Sequence, residues 1–204
     1  MSDRTPMTPY GPRVDDALAL AAASFRDIVR KETTIPYLTH LLQVATWVGE
    51  HGGTEDQFIA ALLHDYLEDI EGSSKAMLAQ RFGPHVAELV EALSDTVVRP
   101  KPPWRPRKEQ YLARLAVKSP EVKLISAADK LHNARSIVRD HGNVGEAVWA
   151  RFSAPKADTL WYYRGVLDAL GTNWSHALLD ELAETVREMH RRAGSIAEID
   201  GTPP

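Results

Sequence analysis

Apolar residues along this chain recur at three- and four-residue spacing, the period of a helix with one face turned to a core. Leu18, Ala22, Phe25 and Val29 form a first stripe, and Tyr37, Leu41, Val44 and Val48 form a second. The breaks between stripes carry helix-boundary chemistry. Thr54–Gln57 (TEDQ), after the HGG of His51–Gly53, fits a capping box. Ser119–Glu121 (SPE) offers a serine cap with proline at the first helical position, and Asn143–Glu146 (NVGE) repeats the capping pattern. Further helices are predicted near residues 74–82, 84–97, 106–118, 120–139, 144–151, 157–170 and 175–192, the first two separated by the Gly-Pro turn of Phe82–His85. No segment alternates apolar and polar residues for the length of a strand, and no fixed-period repeat is visible. The pattern therefore predicts an all-α fold: one compact multi-helix domain over residues 15–193, between a flexible arm at 1–14 and a flexible tail at 194–204.

One stretch resists helical periodicity. Val97–Lys108 (VVRPKPPWRPRK) holds four prolines and five basic residues without an acid, and is predicted to be a loop. As a charge run it reads most simply as a solvated connector; the functional alternative is a cover over an anionic ligand.

Composition narrows the function. The 204 residues, 44% of them apolar, suffice for one sizeable core. A net charge of −4 provides no broad basic surface for a polymeric nucleic acid. With no cysteine, disulfides, thiolate catalysis and Cys-based zinc sites are excluded, which suits a reducing cytoplasm. The longest apolar run, Ala17–Ala23, is far below the roughly 20 residues that cross a bilayer, so no membrane partner is expected.

Candidate chemistry sits where the apolar pattern is strongest. Phe58–Leu63 is apolar nearly all round, marking a helix covered on most sides, and His64 and Asp65 are read as continuing it about 100° apart. His40 lies one turn after Tyr37 and one before Val44, so it points inward with them. Asp129 follows Val122 at +7 and Ile125 at +4 and shares their buried face. Singly, each residue reads as a hydrogen-bonded core histidine or a buried ion-pair partner. Together, three helices aim two imidazoles and two carboxylates inward, and a divalent cation would compensate all four at once. On ligand chemistry alone manganese, iron, zinc and magnesium remain open. Continuing the helix one turn places Glu68 after His64 and Asp69 after Asp65, beside the ligands; the plain alternative is a helix end in solvent. Asn133, one turn after Asp129, could offer an amide at the same place.

His40, then His64-Asp65, then Asp129 resembles the ligand series of HD-domain metal-dependent phosphohydrolases. The surrounding RKETTIPYLTH, AALLHDYLED, RFGPHVAELVEALSD and AADKLHNARS are similar to the hydrolase domain of RelA/SpoT enzymes and the stand-alone small alarmone hydrolases, over roughly residues 17–140. The resemblance implies a single HD domain in which His40, His64, Asp65 and Asp129 hold one metal, usually manganese. It implies hydrolysis of the 3′-pyrophosphate of ppGpp or pppGpp. Glu68 and Asp69 would activate water and transfer protons, while Arg30, Lys31, Asn133 and Ser136 would line the nucleotide pocket. RKETTIPY is one residue longer than the commonest family spacing, leaving open which of Arg30 and Lys31 faces the substrate.

A metal can lower the pKa of bound water from 15.7 to about 7, in keeping with such a reaction. Lys101, Arg105, Arg107, Lys108 and Lys130 are candidates to neutralise phosphate charge. Alternatives are hydrolysis of adenosine alarmones or nucleoside monophosphates, and a degenerate HD domain used as a nucleotide sensor. The expected partner is a small-molecule guanosine or adenosine nucleotide; the sequence leaves the oligomeric state open.

Overall fold

The computed structural model describes residues 10–96, 98 and 100–194. Among these residues the chain is helical without a named strand, in the order α1 Pro12–Ser24, α2 Leu38–Glu50, α3 Glu55–Leu62, α4 Tyr66–Asp69, α5 Lys75–Phe82, α6 Pro84–Leu93, α7 Trp104–Ala116, α8 Pro120–Val144, α9 Lys156–Gly171 and α10 Ala177–Arg192. The all-α expectation holds. A 3-10 segment, Gly145–Arg151, joins α8 to α9.

Local chemistry sets the boundaries. Thr54 Oγ1 accepts from the Gln57 backbone N–H while Gln57 returns the bond to the Thr54 N–H, the reciprocal capping box that opens α3. Ser119 caps α8, with Pro120 supplying the preset φ of a first helical turn. Gly53 allows the chain to turn sharply out of α2, since a Cβ there would stand 2.5 Å from Val48 Cγ1 and 2.7 Å from the Val48 carbonyl oxygen. Gly83, at φ +91°, ends α5 and admits Pro84 at the start of α6.

α8 is the axis of the fold, about 37 Å long at 1.5 Å per residue. It packs against α2, α3, α6, α9 and α10, so its inward face is lined on several sides by protein. Buried Lys123 on this helix donates to the carbonyls of Ala169, Leu170 and Thr172, capping the C-terminus of α9 with a positive charge.

Several expectations are corrected. In the first stripe Phe25 is buried as expected, but Ala17 and Ala21 replace Leu18 and Ala22 on the inward face with Val14, and Val29 is exposed in the loop after α1. Small alanines let α1 approach α3 closely, leaving Leu18 at the edge of the core. Residues 10–14, assigned from the sequence to a flexible arm, are anchored: the Tyr10 hydroxyl donates to the Gly53 carbonyl, the Gly11 N–H to Glu55, and Val14 is in the core. Residues 1–9 and 195–204, the rest of the expected arm and nearly all of the expected tail, lie outside the described residues. Asn143 caps nothing, because α8 runs through it to Val144 and stops only at Gly145, where φ is +60°. α6 ends at Leu93, short of the predicted 97. The predicted loop is cut short, because Trp104 begins α7; the first turn tolerates Pro106, since the N–H that proline lacks would have no intrahelical partner there, and Val97 and Arg99 lie outside the described residues.

Candidate metal centre and adjoining cavities

The helix expected to run through His64 and Asp65 is broken at that point. α3 ends at Leu62, Leu63 is its C-cap, and α4 restarts at Tyr66. The His64 ring reaches back and donates Nδ1–H to the Ala61 carbonyl at 2.7 Å. The break lets neighbouring side chains converge where a regular helix would splay them: His64 Nε2 and Asp65 Oδ2 are 2.9 Å apart.

His40, from α2, and Asp129, from α8, complete the cluster. His40 Nε2 is 3.2 Å from His64 Nε2, 3.3 Å from Asp129 Oδ1 and 3.8 Å from Asp65 Oδ2, and His64 Nε2 is 3.8 Å from Asp129 Oδ1. Metal–ligand bonds of about 2.1 Å put neighbouring donors about 3.0 Å apart in an octahedron and about 3.4 Å apart in a tetrahedron. The donor atoms fall around those spacings. His40, His64 and Asp65 already form a metal-competent trio by distance, and Asp129 stands beside both imidazole nitrogens. Ala61 accepts the proton of His64 Nδ1, so Nε2 is the nitrogen that faces the centre and would bind an ion once its own proton is given up. Two imidazole nitrogens and two ionised carboxylates converging in a buried spot fit a divalent cation.

The electrostatics agree with that arrangement. Burial disfavours charge on His64, but Asp65 outweighs it and, with no ion present, pushes His64 up to about 9. At His40 burial dominates and its pKa is lowered. Burial would raise both acids, yet His64 holds Asp65 below the usual carboxylate range, and Lys130 with His40 holds Asp129 far below it. Both carboxylates are thus anionic. Lys130 bonds Asp129 Oδ2, leaving Oδ1 to the centre, where Asn133 Nδ2 also donates to it at 2.6 Å.

A cavity of about 110 Å³ opens over these groups, with Glu68, Lys108, Lys130, Asn133 and Tyr162 in its wall. Glu68 accepts from the Asp95 N–H at 3.1 Å and from Lys101 at 2.9 Å. Asp69 is at the exposed rim, 3.4 Å from Lys101, and does not line the cavity. Its pKa is pushed up to about 6, by burial first and then by the charges of Asp65 and Glu68, with Lys101 opposing.

A second cavity of about 210 Å³ lies alongside and shares Tyr37 and Asn133 with the first. Arg30, Lys31, Ser136, Arg139 and Arg151 contribute its polar wall, and Ile35, Ile137, Val148 and Phe152 its apolar one. Arg30 and Lys31 both line it. The chain reaches this wall because the loop after α1 folds back on itself, pairing Arg30 N–H with the Ile35 carbonyl and Tyr37 N–H with the Ile28 carbonyl.

The five cations proposed for phosphate charge separate. Lys108 and Lys130 line the inner cavity, and Lys101 clamps the two acids. Arg107 is drawn with Lys108 onto buried Asp95. Arg105 turns away, stacking on Trp161 and pairing with Asp158, and is absent from both cavities.

Sequence reasoning missed Tyr37, whose hydroxyl donates to Asp65 Oδ2 at 2.6 Å, and His132, whose Nδ1 is 2.7 Å from His40 Nδ1. Asp95, the anchor of the basic segment, was missed as well. No helix among the described residues is long and apolar enough to cross a membrane.

Comparison with known proteins accords with this geometry. The HD domain family matches residues 17–159. The guanosine-3′,5′-bis(diphosphate) 3′-pyrophosphohydrolase MESH1 of Mus musculus is 35% identical over 127 residues, covering 61% of this chain and 69% of the mouse protein. Its Xenopus tropicalis counterpart is 34% identical over 133 residues, covering 61% and 72%. The solved structure of a metazoan SpoT orthologue, described as hydrolysing ppGpp, superposes with a TM-score of 0.72 at 27% identity, over 93% of this chain and 99% of the other. With the match spanning most of the described domain and the paired histidines and aspartates converging in space, the chain belongs to the HD domain family.

Proposed function

We propose that this protein is a manganese-dependent 3′-pyrophosphohydrolase of guanosine alarmones, converting ppGpp or pppGpp and water to GDP or GTP and pyrophosphate. The observation that carries the reading is the convergence of His40, His64, Asp65 and Asp129, the last three lining a cavity that adjoins a second, cation-lined one. A divalent ion bound by those four residues supplies Lewis acidity, which makes water more acidic and offsets phosphate charge.

Glu68, in the wall of the inner cavity, holds the attacking water. Glu68 takes the water's proton, and Asp69, raised toward the working pH and joined to Glu68 through Lys101, receives it at the rim. The water oxygen bonds to the phosphorus carried by the 3′ oxygen. The 3′-O–P bond breaks, the 3′ oxygen takes up a proton, and pyrophosphate leaves. Lys108 and Lys130 stabilise the charge of the pyrophosphate group. Arg30, Lys31, Asn133 and Ser136 seat the nucleoside and its 5′ phosphates in the outer cavity, and Tyr37 at the junction keeps Asp65 oriented. We place the activity in the cytoplasm, a compartment that a chain without cysteine suits.

The test is chromatography of ppGpp incubated with pure protein in manganese, in chelator, and with Asp65→Ala. The reading expects GDP and pyrophosphate only from the manganese-loaded wild type. Intact ppGpp in all three, with turnover of an adenosine alarmone or a nucleoside monophosphate, would overturn it.

A further inference from the structure

We propose that His132 and Arg30 are positioning residues that fix the tautomer of His40, so that a guanidinium lining the outer cavity determines how a ligand nitrogen presents its lone pair. The inference rests on the reading of the His40, His64, Asp65 and Asp129 cluster as a divalent-ion site.

Two groups meet His132 Nδ1. Arg30 Nη1 lies 3.3 Å from it and His40 Nδ1 lies 2.7 Å from it. A guanidinium N–H can only donate, so His132 Nδ1 is an acceptor and the ring's proton is on Nε2. The short contact to His40 then has one consistent polarity: His40 Nδ1 carries the proton and donates. His40 Nε2 is thereby bare and faces the cluster, 3.2 Å from His64 Nε2 and 3.3 Å from Asp129 Oδ1. The opposite assignment would set an N–H of His132 against the guanidinium and an N–H of His40 against the other donors. The two rings stack with centroids 4.9 Å apart, and Trp47 packs on the edge of His132, so the geometry is held by packing.

Arg30 reaches the cluster by a second route. Its Nη2 donates to Asn133 Oδ1 at 2.9 Å, which turns the amide so that Nδ2 donates to Asp129 Oδ1 at 2.6 Å. One side chain from the loop between α1 and α2 therefore orients two ligands on two different helices, α2 and α8. Partners behind a metal ligand typically change metal affinity or activity 10- to 100-fold when removed.

The experiment has two readouts on the whole protein. Long-range proton–nitrogen correlation on the metal-free wild type, labelled with nitrogen-15, reports each ring's tautomer. The relay expects Nδ1–H at His40 and Nε2–H at His132; Nε2–H at His40 would overturn it. Calorimetric titration with Mn2+ then compares wild type, His132→Phe, His132→Asn and His132→Gln. Phe, which has no acceptor, is expected to weaken binding about 10- to 100-fold. Asn, whose oxygen can occupy the Nδ1 position, restores it to within about threefold, and Gln, which mimics Nε2, does not. Equal affinity in the Phe and wild-type proteins, or equal behaviour of Asn and Gln, overturns the relay. A wild type that takes up no Mn2+ defeats the metal reading instead, while the tautomers still judge the relay. If the Phe variant does not fold, Arg30→Met is expected to give His132 mixed tautomers, and an unchanged His132 spectrum counts against the proposal.

Discussion

Lys101→Met isolates the proposed proton-handling pair, Glu68 and Asp69. Lys101 Nζ lies 2.9 Å from Glu68 Oε1 and 3.4 Å from Asp69 Oδ1, and its charge opposes the burial and acid repulsion that push Asp69 up to about 6. Both side chains of the Lys101–Asp69 pair are 37% exposed, so the solvent value of the dielectric is the appropriate one. A unit charge 3.4 Å away is then worth about 1.2 kcal/mol, or on the order of one pH unit. A base must be deprotonated to accept a proton, so activity falls as pH drops through its pKa. Removing Lys101 raises that pKa and moves the acid limb of kcat/KM toward alkaline pH by on the order of one unit. The assay is ppGpp hydrolysis in manganese from pH 5 to 9, wild type against variant. A lower plateau with the acid limb unmoved would show that Asp69 is not the group whose ionisation limits the reaction.

Manganese at a hundred times its Kd is expected to add about 2.7 kcal/mol of stability. For a chain of this size that raises Tm by roughly 5–11 °C; scanning fluorimetry should show the rise in wild type and none in Asp65→Ala. Gly53→Ala, which forces a Cβ to within 2.5 Å of Val48, is expected to cost about 1–3 kcal/mol in urea unfolding, with the Mn2+ affinity of the folded fraction unchanged. Lys31→Ala removes an exposed cation from the outer cavity and should raise KM for ppGpp more than it lowers kcat, most visibly at low salt.

The proposed metal ligands were legible because burial and polarity conflict: His40 and Asp129 interrupt apolar stripes, and such an interruption has few physical resolutions. The caps at Thr54 and Ser119 were legible because a cap is local chemistry. What escaped left no mark on the apolar periodicity, and most of it depends on contacts between distant segments. Nothing in AALLHDYLED reveals that His64 bonds back to Ala61 and interrupts the helix, since its periodicity is unbroken. His132 reads as an ordinary polar position of α8, and its partner His40 is 92 residues away. The basic segment without acids reads as solvated, yet Asp95, just upstream and buried, draws in Arg107 and Lys108. Leu18 and Ala22 were read inward in place of Ala17 and Ala21 because alanine and leucine count alike in an apolar pattern, although small residues allow α1 to pack closely against α3.

The central claim is that His40, His64, Asp65 and Asp129 share one divalent ion, and anomalous diffraction from crystals grown with Mn2+ tests it most directly. The account predicts a single strong peak bonded at about 2.1 Å to His40 Nε2, His64 Nε2, Asp65 Oδ2 and Asp129 Oδ1. No peak there, with the four side chains bonded only to one another, would contradict it.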